Sequence, residues 1–394
     1  MLELAQGVYW VGVVDWDLRD FHGYVTSQGT TYNAYLIVDE KTALIDAVKA
    51  PFKEELFRNI TEVCDPAAID YVISLHVERD HSSVLPFVME RAPGATLVTT
   101  ERFGERGLEA NFHRGWSFHP VKDGDRLLLG RRHLSFIPTP MVHWPDSMMA
   151  YLEEESLLFS SDFYGQHLAT SSRYADQVAS DILRPEATRY YANIFMPYAS
   201  QAGRALERTR ALAPQLIAPS HGLMWRGDMD WVLESYGRWT QGHTVPRVVV
   251  VYDTMWGSTE MMANALLQGV AYEGVEAQLY RLTGSSMSDI MAQILEAGAV
   301  CIGSPVLHGG IYPTVAAFLS YLRGFRPKGK LGLTFSSYGW SGVAAKAINQ
   351  EMEAAGMELV QPPLEANFVP DEEALERCRQ AGAELARRVK AAAA

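Results

Sequence analysis

Cysteine is nearly missing from this chain. Three residues, Cys64, Cys301 and Cys378, are spread over 394 positions. None belongs to a C-x-x-C pair, which argues against a thiolate zinc site, an iron–sulfur cluster or a disulfide framework. An odd, sparse count fits a reducing cytosol, so a cytoplasmic protein is expected. Basic blocks are missing too. The balance of 34 Lys and Arg against 47 Asp and Glu gives a net charge of −13, and the arginines are scattered. Phosphate neutralisation needs clustered cations, so neither nucleic acid nor an anionic membrane is an expected partner. No apolar run approaches the roughly 20 residues that span a bilayer. The start, Met1 to Gly7, has no basic region followed by an apolar core, so no signal peptide is expected. What remains is 48% apolar and 21% charged, a globular composition long enough for two or three domains.

The first forty-five residues read as strands. Gly7 to Val14 is β-rich, and Tyr32–Val38 and Thr42–Asp46 flank a hairpin turn at Asp39-Glu40-Lys41. Asp20-Phe21-His22-Gly23-Tyr24 has no clean period and reads as a functional loop or interface. Short strands and helices then alternate, with helices predicted near 51–63, 82–90, 181–212 and 228–239. Gln241 to Pro246 reads as a linker, which divides the chain into domains 1–245 and 246–394. Beyond it the rhythm changes. The continuous apolar run Arg247–Tyr252 is of the kind buried on both faces, and five β–α repeats follow from it. That pattern predicts an open, doubly wound parallel α/β sheet.

The densest chemistry is His76-Val77-Glu78-Arg79-Asp80-His81, directly after the apolar strand Tyr71–Leu75. A polar turn that caps a strand explains one such residue more easily than four potential ligands together. His143, Asp162 and His221 each follow a later apolar strand in the same way. Taken singly, each has an ordinary role as a packed loop histidine, a helix cap or a turn residue. Taken together, the ends of several strands converge on one face of a sheet. Seven ligands exceed one tetrahedral ion, so two metals are implied, with Asp162 as the natural bridge. His113, His119, His133, His167 and His243 read as surface or packing residues.

The C-terminal repeats carry three turns of another chemistry. Thr254-Met255-Trp256-Gly257-Ser258-Thr259 offers hydroxyls, a glycine and a helix N-terminus to a phosphate. No G-x-x-x-x-G-K-[ST] is present, so this is not a Walker site. Ser304-Pro305-Val306-Leu307-His308-Gly309 follows the third strand, and Ser336-Ser337-Tyr338-Gly339-Trp340-Ser341 follows the fourth. With strand order 2-1-3-4-5 the three meet at the switch point of the sheet. There Trp256, Tyr338 or Trp340 can stack on a planar ring.

The H-x-x-x-D-H frame with His143, Asp162 and His221 resembles the metallo-β-lactamase superfamily, whose hydrolytic members usually carry histidine at the position of Glu78. With Glu78 the pattern H-x-E-x-D-H resembles the flavodiiron proteins, and the C-terminal loops resemble flavodoxin. The resemblance covers nearly the whole chain. It implies an αββα metallo-β-lactamase-like domain followed by a flavodoxin-like domain of five parallel strands. It further implies FMN and two non-haem irons per chain. His76, Glu78 and His143 would hold one iron, and Asp80, His81 and His221 the other, bridged by Asp162. The hard carboxylate of Glu78 favours iron over zinc. By the same resemblance His22 belongs to a loop reaching over the diiron site, and Tyr198 supplies a hydroxyl to the substrate pocket. The implied activity is reduction of O2 to water, of NO to N2O, or both. Electrons would come from rubredoxin or reduced coenzyme F420, and the assembly would be a head-to-tail homodimer or a dimer of dimers. The competing readings are a zinc hydrolase of the glyoxalase or lactamase type fused to a flavodoxin, and an electron carrier with a scaffolding first domain.

Overall fold

A computed structural model describes residues 2–393. The chain forms two compact units. The first comprises Met1–Tyr191 and Ser200–Gly237, and the second Ala192–Ala199 and Arg238–Ala394. Among the described residues no helix is long and apolar enough to cross a membrane.

The first unit is built on two sheets. Seven strands, in the order Leu2–Ala5, Val8–Trp10, Tyr35–Val38, Thr42–Ile45, Ile69–Ile73, Thr96–Thr100 and Phe118–Val121, form one. Arg126–Leu128, His133–Pro138, Met148–Leu152, Leu157–Ser161 and Leu216–Pro219 form the other. Side-chain alternation along a strand explains how they pack. Tyr35, Ile37, Ala43, Ile45 and Ile73 face Phe136, Met148, Ala150 and Phe159 of the second sheet. Their neighbours Leu36, Leu44, Val72 and Leu97 turn the other way. They meet Leu56, Phe57, Ile60, Leu85 and Val88 of the helices Lys53–Thr61 and Leu85–Arg91. Burying both faces of the first sheet leaves its strand ends rigid, which is what a ligand-bearing loop requires.

A continuous helix over 82–90 is not what forms. One turn, Arg79–Ser82, comes first, and a second helix, Leu85–Arg91, starts with Pro86 in its first turn. Proline lacks the N–H that a continuing helix needs, so it opens a new one instead. Asp80 and His81 therefore sit inside a helical turn and are buried.

In the second unit the parallel strands Glu276–Arg281, Val245–Tyr252, Ala297–Leu307 and Leu331–Tyr338 lie side by side in that order. The order is 2-1-3-4. The fifth strand comes in two pieces, Glu358–Leu359 and Leu364–Asn367, both paired with Leu331–Tyr338. Pro362 and Pro363 lie between the pieces and have no N–H for the ladder. The helices Ser258–Tyr272 and Glu372–Ala393 cover one face through Met262, Leu266, Val270, Leu385 and Val389.

Candidate metal centre and flavin cradle

Five strand ends of the first unit open on one edge. Thr42–Ile45 leads to Asp46, Ile69–Ile73 to His76, His133–Pro138 to the turn holding His143, Leu157–Ser161 to Asp162, and Leu216–Pro219 to His221. Asp46 and Ser161 take left-handed backbone, with φ of 57° and 54°. Such values in non-glycine residues recur where a fold aims side chains at a site.

The seven expected ligands come together as two groups. His76, Glu78, His143 and Asp162 bring one ligand atom each within 4.8 Å of one another, and so do Asp80, His81 and His221. Asp162 joins the groups. Its Oδ2 lies 3.4 Å from His143 Nε2, while its Oδ1 lies 3.1 Å from His81 Nε2 and 3.4 Å from His221 Nε2. Glu78 Oε2 is 3.2 Å from both His76 Nε2 and His143 Nε2. Asp80 Oδ2 is 3.1 Å from His221 Nε2 and 3.4 Å from His81 Nε2. Among these buried atoms Asp80 Oδ1, His81 Nε2 and Asp162 Oδ2 make no hydrogen bond. Converging carboxylate and imidazole atoms, three of them without a hydrogen bond, fit cations, one in each group.

The opposite edges of the imidazoles are tied down. Asp146 Oδ2 stands 3.3 Å from His76 Nδ1 and accepts the Val77 N–H at 2.7 Å. Asp46 Oδ2 stands 2.8 Å from His81 Nδ1 and accepts the Ser220 hydroxyl at 2.6 Å. The Thr31 carbonyl accepts from His221 Nδ1 at 2.8 Å. With Nδ1 protonated in each ring, Nε2 carries the lone pair that faces the cluster.

Charge balance keeps the set polarised. Burial opposes charge on His76, but hydrogen bonds to Asp146 and Glu78 outweigh it and hold the ring up to about 10. His221 is likewise held up to about 9 by Asp162 and Asp80 against its burial. The carboxyls of Asp80, Asp162 and Glu78 are held below their usual range, because the surrounding histidines outweigh the cost of burial. Metal-free, the cluster is a proton store, and an ion entering it displaces those protons.

Access is on one side. Glu78 and His143 keep side-chain exposures of 15% and 19%, while His76, Asp80, His81, Asp162 and His221 are buried. His22 lies above them, mostly exposed, with Nε2 3.1 Å from Glu78 Oε1. Its loop is a minimal hairpin of Asp20–Phe21 and Tyr24–Val25. Tyr198 ends the short helix Met196–Tyr198. At the cluster the Tyr190 hydroxyl donates to Asp162 Oδ1 at 3.1 Å. Burial and the Asp162 charge push its pKa well above that of a free tyrosine, so it stays a donor. Of the two roles open to His167, surface or packing, the structure gives packing. It is 7% exposed and packs against His221, with ring centroids 5.4 Å apart. Asp46 was within reach of the sequence, since it too is an acid at the end of an apolar strand.

The second unit brings its three loops to one sheet edge. Gly257, with φ of 90°, caps the helix Ser258–Tyr272 with no side-chain hydrogen bond, leaving the first N–H groups of that helix for an anion. Asp253 is buried beneath this loop. Its carboxylate accepts hydroxyls from Thr283 and Thr314, both at 2.6 Å, and the Thr254 N–H. Thr259 and Ser337 share a hydroxyl hydrogen bond of 2.8 Å, and Ser336 donates to the Ser304 carbonyl at 2.8 Å. Ser304 to Leu307 and Ser336 to Tyr338 are strand rather than loop, so the actual turns are His308-Gly309 and the stretch from Gly339 to Ser341. Trp256 and Trp340 are 94% and 95% exposed, and Tyr338 is half-buried. A hydroxyl-lined helix N-terminus flanked by free aromatic faces fits the phosphate and ring of a flavin nucleotide.

Comparison with known proteins finds two families along the chain. Residues 30–222 match the ODP family beta lactamase family, and residues 250–382 match the Flavodoxin family. The chain is 44% identical over 392 residues to a nitric oxide reductase of Moorella thermoacetica, covering 98% of each. It superposes on rubredoxin oxygen:oxidoreductase from Desulfovibrio gigas with a TM-score of 0.97 and 39% identity, covering 99% of this chain and 98% of that one. A flavodiiron protein of Giardia intestinalis gives a TM-score of 0.95 at 38% identity, covering 99% and 96%.

Proposed function

The chain belongs to the flavodiiron family, and on that premise we propose that it passes electrons from an external donor through FMN to a non-haem diiron site that reduces O2 to water, NO to N2O, or both. The observation that carries this is Glu78. It stands 3.2 Å from two imidazoles in a group that shares Asp162 with a second, separate group. A carboxylate there gives a hard, oxygen-rich donor set suited to iron, where a third imidazole would suit zinc.

His76, Glu78 and His143 would hold one iron, Asp80, His81 and His221 the other, and Asp162 would bridge them. The loops from Thr254 to Thr259, Ser304 to Gly309 and Ser336 to Ser341 would hold FMN, with Trp256 or Trp340 against the ring. Domain 1–245 then carries the metals and domain 246–394 the flavin. When bound, FMN supplies a two-electron store, and the iron pair supplies two more electrons and the positions where a gas binds. Four electrons and four protons take O2 to two waters. Two electrons and two protons join two NO molecules as N2O and one water.

The protein's own groups prepare that chemistry. Asp46, Asp146 and the Thr31 carbonyl fix three imidazoles with Nε2 inward. Tyr190 holds the Asp162 carboxylate by its hydroxyl, and Tyr198 supplies a hydroxyl to the substrate pocket. His22, at the open side above Glu78, donates to oxygen atoms bound there. A cytoplasmic setting suits the three unpaired thiols. The donor is rubredoxin or reduced coenzyme F420. The assembly is a head-to-tail homodimer, alone or as a dimer of dimers, in which FMN of one subunit serves the metals of its partner. A fully active monomer at working dilution would overturn that arrangement.

The test is composition followed by turnover. Protein made with iron available should carry two irons and one FMN per chain. Under anaerobic conditions each reduced donor is supplied in turn, flavin bleaching is followed, and O2 or NO uptake is recorded. Zinc with thioester or lactam hydrolysis would make the chain a hydrolase. FMN without metal would make it a carrier.

A further inference from the structure

We propose that His167 is a further positioning residue of the second metal group, a hydrogen-bond acceptor whose Nε2 holds the O–H of a water or hydroxide there. The inference rests on the diiron reading above.

Two imidazoles hang from one short strand, Thr30–Tyr32. His221 donates through Nδ1 to the Thr31 carbonyl at 2.8 Å. His167 Nδ1 lies 2.9 Å from the Thr30 hydroxyl oxygen, whose own proton goes to the Thr31 carbonyl at 3.3 Å. With the hydroxyl proton on the Thr31 carbonyl, the Thr30 oxygen accepts from His167, and His167 carries its hydrogen on Nδ1. Its Nε2 is then a bare lone pair. The atom is buried and has no hydrogen-bond partner among the described residues. Both rings are anchored at Nδ1 to neighbouring residues of one strand and packed 5.4 Å apart, so both present Nε2 on the side away from it. For His221 that side is the metal group, where Nε2 stands 3.1 Å from Asp80 Oδ2.

His167 itself is outside the two ligand groups, so its lone pair is placed to meet a ligand of the metal rather than the metal. Its surroundings are those of the site. Tyr190, the donor to Asp162, lies edge-on at 4.9 Å, and Phe21, beside His22, lies at 5.1 Å. The backbone that carries His167 is clamped. Gln166 N–H donates to the His221 carbonyl at 3.2 Å, the Gln166 amide donates to the Leu223 carbonyl at 3.1 Å, and Ala169 N–H donates to the Gln28 carbonyl at 2.8 Å. An acceptor held this firmly in a buried pocket costs free energy unless a donor meets it. Water is a product of both proposed reactions, and the lone pair accepts from its O–H.

Azide bound to the diferric holoenzyme gives a readout other than turnover. Azide has no hydrogen to give Nε2, whereas the solvent it displaces does. His167→Leu should therefore retain iron and bind azide more tightly, by about fivefold for one hydrogen bond of ordinary strength. Thr30→Val removes the acceptor that fixes the tautomer. Its imidazole can then turn an N–H toward azide, so it should bind azide at least as tightly as His167→Leu. A purely structural role predicts the opposite sign, with a loosened His221, less iron and weaker azide in His167→Leu, and no change in Thr30→Val. Unchanged or weaker azide binding in both iron-loaded variants would overturn the inference. A wild-type protein that takes up no iron would instead overturn the diiron reading and this inference with it.

Discussion

The metal pocket and the flavin cradle solve opposite problems. In the first, five of the seven donors are buried, and charge on one side chain decides the protonation of the next. Its specificity lies in which side chain stands where. In the second, the proposed anion site is made of main-chain N–H groups and a few hydroxyls, and the large rings beside it stand in solvent. Any strand-to-helix turn supplies much of that. The difference implies that single substitutions should be severe and metal-selective in the pocket, and graded in the cradle.

The sharpest test of that contrast is Glu78→His. It swaps one donor and leaves the frame of His76, Asp80 and His81 intact. The expected result is a shift of metal content from iron toward zinc and loss of gas reduction, with FMN content unchanged. Iron retained at full turnover would remove the weight placed on this carboxylate.

Acid should act on the pocket with nearly as large an effect. His221 and His76 hold protons up to about 9 and about 10 in the metal-free cluster. A metal ion needs those rings neutral. Affinity for ferrous ion therefore climbs with pH up to that range and falls as pH drops, by about tenfold per pH unit for each proton displaced. Chelator competition at several pH values measures it. An affinity that is flat between neutrality and mild alkali would mean that the rings are already neutral. FMN retention over the same interval should change far less, since main-chain donors do not titrate.

Asp46→Asn probes the layer behind the ligands. Asp46 touches no expected metal position. It holds His81 by Nδ1 and takes the Ser220 hydroxyl. Loss of such a partner weakens metal binding by roughly 10–100-fold. Here the loss should fall on the second group alone, because His76 in the first is held separately by Asp146. One weak and one unchanged iron per chain is the expected titration. Equal loss at both would show that the two groups are not independently supported.

These layers also mark what the sequence could reveal. A ligand after an apolar strand is a local signal, and His76, His143, Asp162 and His221 all carry it. Asp46 carries it too, after Thr42–Ile45. Tyr190 has no such signal. It sits inside the helix Ser180–Ile194 next to Tyr191, and only the packing of that helix turns one of the two toward Asp162. His167 follows Tyr164-Gly165-Gln166, an irregular stretch pinned by long-range hydrogen bonds, so its burial is a tertiary fact. In the second unit the β–α rhythm made the sheet order legible. The break in the fifth strand comes from Pro362 and Pro363, which the β–α rhythm alone does not locate.

The smallest expected effect belongs to the cradle. Trp340 is 95% exposed, so Trp340→Ala should leave folding stability within about 0.5 kcal/mol, as for most surface substitutions. If its ring stacks on the isoalloxazine, the same change removes about 0.5–1.5 kcal/mol of aromatic contact, which is roughly a two- to twelvefold weaker FMN complex. Trp256→Ala, at an equally exposed ring on the opposite loop, provides the matching measurement. Flavin fluorescence on titration into apoprotein reads both. A loss confined to one variant identifies the stacking ring. Loss in both, close to additive, indicates a ring sandwiched between them. No change in either would mean that these two indoles serve a surface of the protein other than the flavin, and that the cradle binds through its phosphate loop alone.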